Sequence, residues 1–85
     1  LESCLDNERS NFMMKIQLNK KTRKLLVSYP IEDISKDYET VKQIVYNCEN
    51  NGLKCYFSID SNLNLRYFII SANDWKALKI FAKQL

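Results

Sequence analysis

Lys20, Lys21, Arg23 and Lys24 place four cations within five residues, the densest charge of one sign in the chain. Side chains of this kind neutralise phosphates and release counterions, which gives an affinity independent of sequence and weakened by salt. Lys15 adds a further cation on the same hairpin. A second set, Lys54, Tyr56, Arg66 and Phe68, interleaves basic and aromatic groups. That is the combination by which sheet surfaces stack on bases and hold the backbone beside them. Both sets also have a plainer reading. Charges at a hairpin tip guard hydrophobic strands against association, and an aromatic face can be covered by a tail, a helix or a second subunit. Lys76, Lys79 and Lys83 read as the solvated face of a helix.

Enzyme chemistry has few tools here. The chain has no histidine, so the usual general base near neutral pH and the commonest metal ligand are both missing. Asp60 and Asp74 converge with no base or nucleophile that the sequence can show. Cys4, Cys48 and Cys55 make an odd count without a CxxC pair, which points to a reducing compartment and away from zinc. No catalytic residue, metal or cofactor is therefore expected. The net charge is +3, and because Glu2, Asp6 and Glu8 all fall in the first nine residues, the remainder is more basic than the total. A positive excess suits an anionic partner. No apolar run approaches the ~20 residues of a membrane helix, so the expectation is a soluble, cytoplasmic protein with no membrane partner.

The elements that must position these groups follow from periodicity. Leu53 to Ser71 reads as a hairpin, with apolar residues at odd positions in both Leu53–Ile59 and Leu63–Ile69. Matching those faces favours a three-residue loop, Asp60-Ser61-Asn62, with Asn62 left-handed, Ile59 beside Leu63 and Phe57 beside Leu65. Lys54, Tyr56, Ser58, Asn64, Arg66, Phe68 and Ile70 then share the second face. Phe12 to Leu18 and Arg23 to Tyr29 form an earlier hairpin. A loop of Asn19 to Thr22 pairs Ile16 with Leu25, Met14 with Val27 and Phe12 with Tyr29, and Pro30 ends the second strand. Ser35 is the expected N-cap of a helix whose stripe is Tyr38, Val41, Ile44, Val45 and Cys48. Asn50-Asn51-Gly52 stops it. Ser71 to Asp74 resembles a capping box ahead of a last helix with Trp75, Leu78, Phe81, Ala82 and Leu85 inward. Cys48 and Cys55 are expected to act as small core hydrophobes.

With 85 residues there is room for one core. The expected fold is a single small α+β domain over 12–85, an antiparallel sheet with two helices on one face in the order β-β-α-β-β-α. Residues 1–11 read as a polar tail, with a short turn docking Leu5 as the alternative and Met13 or Met14 as a natural start. The shared hairpin-plus-helix plan of the two halves hints at a duplicated unit.

From Tyr38 onward the features fall in a particular order. A helix runs into Asn51-Gly52-Leu53, Cys55 sits in the next strand, an Asn-centred turn spans Asn62 to Asn64, and the last helix ends Phe81-Ala82-Lys83-Gln84-Leu85. In these positions, about half the chain, the sequence resembles the double-wing DNA-binding domains of bacteriophage middle-promoter activators of the MotA type. The resemblance implies a small phage regulator that contacts nucleic acid through a positively charged sheet surface and its connecting turns. The more basic first hairpin, Lys15 to Lys24, departs from that pattern, and no recruitment domain is evident. The expected function is a non-enzymatic nucleic-acid-binding regulator of DNA or RNA. Its alternative is a protein-binding inhibitor of a host enzyme or toxin, or a homodimer, in the host cytoplasm.

Overall fold

A computed structural model describes residues 9–11 and 14–85. Along them run β1 (Arg9–Asn11), β2 (Met14–Asn19), β3 (Lys24–Pro30), α1 (Ile34–Asn50), β4 (Lys54–Asp60), β5 (Leu65–Ser71) and α2 (Trp75–Gln84). The strands make one antiparallel sheet in the order β1-β2-β3-β5-β4. Four long strands and two helices follow the expected β-β-α-β-β-α order, giving a small α+β domain. The fifth strand, β1, lies in the segment read as a tail and pairs with β2 through Arg9–Ile16, Ser10–Lys15 and Asn11–Met14. The rest of that tail and the expected place of Phe12 lie outside the described residues.

Both hairpins are closed by the same local device. In each, the last residue of the first strand is an Asx whose side-chain oxygen accepts backbone N–H groups of a four-residue loop. Asn19 Oδ1 accepts from Thr22 N at 3.1 Å, and Asp60 Oδ1 accepts from Asn62 N and Leu63 N at 3.1 and 3.2 Å. The fourth loop residue is left-handed, Arg23 at φ 58 and Asn64 at φ 54. A turn followed by one left-handed residue lets the strands leave with the twist a sheet needs.

This device corrects both expected registers. In the first hairpin Asn19 pairs with Lys24, so Ile16 faces Val27 and Leu18 faces Leu25. The slip from the expected register is two residues, and every side chain keeps its face. In the second hairpin Asp60 pairs with Leu65, Ile59 with Arg66 and Phe57 with Phe68. Here the slip is odd, so β5 is turned over. Phe68 and Ile70 point to the helices and are fully buried, while Leu65, Tyr67 and Ile69 take the other face. Asn64, not Asn62, is the left-handed residue, and it is tied to the end of β3. Its side-chain N–H donates to Ile31 O at 2.9 Å, and its carbonyl accepts from Ile31 N at 2.9 Å.

The helices cover one face only. α1 starts at Ile34 because Asp33, rather than Ser35, is its cap, accepting from Ser35 N at 2.9 Å and Lys36 N at 3.3 Å. A carboxylate there also meets the positive end of the helix dipole. Ile44 and Cys48 enter the core and Val41 packs against it, whereas Tyr38, placed on the stripe by its spacing, is 62% exposed. Gly52, at φ 68, ends the helix as Leu53 N donates to Cys48 O at 2.9 Å. Asp74 caps α2 by accepting from Lys76 N at 3.0 Å, and Leu78, Phe81 and Ala82 are buried. These helix residues meet Ile16, Leu18, Leu25, Val27, Phe68 and Ile70 in one core. Cys48 lies inside it and Cys55 packs against it, as small hydrophobes do.

Candidate nucleic-acid interface

The opposite face of the sheet is crossed by neither helix. The registers set its rows. Asn19, Lys24, Ser71 and Lys54 form one row across β2, β3, β5 and β4; Gln17, Leu26, Ile69 and Tyr56 the next; Lys15, Ser28, Tyr67 and Ser58 the third. Pro30, Leu65 and Asp60 close it at the far end. No residue of these rows is fully buried. The centre is therefore an apolar and aromatic shelf, with Tyr56 59% exposed and its ring 6.4 Å from that of Tyr67 at 49°.

Charge is unevenly placed along the strands. Lys24 and Lys54 lie in the row nearest the β2–β3 tip, and Lys20, Lys21 and Arg23 occupy the tip itself. All five are exposed. Lys15 is exposed on the third row. Asp60 marks the other end. Arg23 is partly committed to structure, since its guanidinium lies 5.7 Å from the centre of the Trp75 ring.

Two expected site residues are elsewhere. Phe68 has no exposed surface, so it cannot stack on a base. Arg66 lies on the helix face, where its Nε and Nη2 donate to Asp37 Oδ1 and Oδ2 at 3.0 and 2.7 Å. The Tyr29 hydroxyl donates to the same Oδ1 at 2.8 Å. Arg66 holds the Asp37 carboxyl below the usual carboxylate range, against the opposing effect of burial, with Tyr29 adding to the depression. The ion pair raises Arg66 in turn. Burial, then the bond to Asp37, pushes the Tyr29 phenol up. Both corrections have one cause, the odd register of β5. Of the expected residues, the structure thus gathers Lys15, Lys24, Lys54 and Tyr56 on one face, with Lys20, Lys21 and Arg23 at its margin. Tyr67, Ile69 and Leu26 join them unforeseen. The turn signal Asp60-x-x-x-Asn64 could have revealed the first two.

Among the described residues no cluster of three or more His, Cys, Asp or Glu side chains could hold a metal, and no helix is long and apolar enough to cross a membrane. The chain matches no protein-family model, no curated protein and no solved structure.

Proposed function

We propose that the protein is a non-enzymatic nucleic-acid-binding regulator of phage type, acting in the host cytoplasm through the open sheet face. The observation that carries this reading is the juxtaposition of an exposed Tyr56 and a half-buried Tyr67 with Lys24, Lys54 and the hairpin-tip cations along one margin. Aromatic faces stack on bases without demanding a sequence, and lysines beside them track the phosphates. The resemblance of residues 38–85 to double-wing domains supports the same reading from the sequence side, including use of the strand-connecting turns.

The test is a salt titration of binding to generic single-stranded and duplex DNA and RNA. Binding is expected to weaken linearly in log–log form as salt rises. Replacing Lys20, Lys21, Lys24 and Lys54 together by Ala should lower the slope by up to about 0.9 per lost phosphate contact on duplex DNA. Tyr56→Ala should cost about 1–3 kcal/mol on single strands. Arg23→Gly relieves a left-handed backbone but removes a guanidinium that lies on the Trp75 ring, so it should lower affinity less than the lysine replacements do. Absence of salt-dependent binding to any of the four would remove the reading. It would leave the protein-binding inhibitor, which the exposed apolar side chains of β4 favour.

A further inference from the structure

The sheet has two edges. One is β1, of which three residues, Arg9–Asn11, are described. The other is β4, a seven-residue strand without proline or bulge, paired with β5 along its whole length. Its outer side bonds no strand among the described residues. On its helix face Phe57 is 42% and Ile59 47% exposed, large apolar side chains at the rim. Beside Phe57 a cleft of about 600 Å³ runs along α1, lined by Val41, Val45 and Tyr46 together with the polar Glu39, Lys42, Gln43 and Glu49, but by no residue of β5. It therefore opens at the edge.

We propose that β4 pairs with β4 of a second copy of this chain, antiparallel about a two-fold axis at Phe57, to make one continuous sheet. The strand's own sequence argues for this occupant and this register. In Lys54-Cys55-Tyr56-Phe57-Ser58-Ile59-Asp60, an axis at Phe57 sets Lys54 opposite the partner's Asp60, and Asp60 opposite the partner's Lys54. Opposite charges facing each other across strands are favourable, and here both ends of the ladder gain one pair. On the helix face Phe57 meets its own symmetry mate and Cys55 meets the partner's Ile59. The two exposed apolar side chains are covered. A two-residue slip along the edge loses the Lys–Asp pairing; a one-residue slip also breaks the match of faces. Because the axis is perpendicular to the sheet, both open faces lie on the same side of the dimer. A single polyanion could then touch two basic margins, a consequence that rests on the proposed function; the pairing itself does not.

An edge contact of one strand is small for an interface, so association is expected in the micromolar to millimolar range. Sedimentation equilibrium of the full chain, without nucleic acid, should show a mass rising toward twice the monomer with concentration. Phe57→Lys should abolish that rise while circular dichroism stays native. Lys54→Glu puts like charges opposite each other at both ends and should weaken association roughly tenfold at low salt and less at high salt. Adding Asp60→Asn, which keeps the turn's acceptor oxygen, should recover part of the loss. A monomer throughout the range overturns the proposal, as does a dimer indifferent to both Phe57→Lys and Lys54→Glu. Nucleic-acid affinity measured below the association range reports on the open face separately.

Discussion

At the scale of single residues, the Asp37–Arg66–Tyr29 group decides most. An arginine on a strand beside aromatic residues reads as a surface cation, yet here it is one half of an ion pair whose side chains are 14% and 9% exposed. Removing one partner leaves the other charge with little water to replace it. Asp37→Ala should therefore cost about 3 kcal/mol, the lower end for a buried pair because each side chain still reaches solvent. Denaturant unfolding would measure it. The pH dependence follows from the depressed folded pKa of Asp37. Between the folded and unfolded values the unfolded chain binds the extra proton, so stability rises with pH there. The contribution is complete above the unfolded value near ~3.9 and is lost as pH falls through the depressed folded one. Asp37→Asn should flatten this acid limb, and an unchanged limb would assign the acid response to other carboxylates.

At the scale of elements, the second hairpin shows how a turn outranks a hydrophobic pattern. Both faces of β5 are apolar, so alternation allows either orientation. The turn does not, since only the four-residue loop lets Asp60 accept from Asn62 and Leu63 and puts Asn64 against Ile31. Asn64→Ala should cost about 1–2 kcal/mol through the left-handed backbone and the lost side-chain bond, and Asn64→Gly should recover the backbone part. The orientation itself is tested by contrast. Phe68→Ala should cost about 3–5 kcal/mol, and Phe57→Ala about 1–1.5 kcal/mol because much of its ring is already in water. Equal losses would argue that the two strands pair otherwise.

At the scale of the whole molecule, cations lie on both sides of a domain whose shortest dimension is 20 Å. Lys76, Lys79 and Lys83 are exposed on α2, the layer behind the sheet, whereas Lys24 and Lys54 border the open face. Screening acts over ~8 Å at physiological salt, so the two sets are electrically separate. Replacing the three α2 lysines by Ala should leave nucleic-acid affinity within about twofold, although it removes more charge than Lys24→Ala with Lys54→Ala. A larger loss from the α2 set would move the interface to the helices. The amino-acid sequence by itself determined what local interactions control: the order of elements, the four long strands, the helix stop at Gly52, and the stripe from Val41 to Cys48. It also determined the clustering of Lys20 to Lys24, since neighbours in sequence stay neighbours at a hairpin tip. Which face of β5 is inside was decided by its turn together with tertiary contacts that alternation does not show, Asn64 on Ile31 and Arg66 on Asp37. A strand apolar on both sides takes its orientation from its turn and from what packs on it, and here Asp37, contributed by α1, receives Arg66 from β5. That one choice moved Phe68 and Arg66 out of the site and Tyr67 and Ile69 into it, because in a strand all side chains change face together.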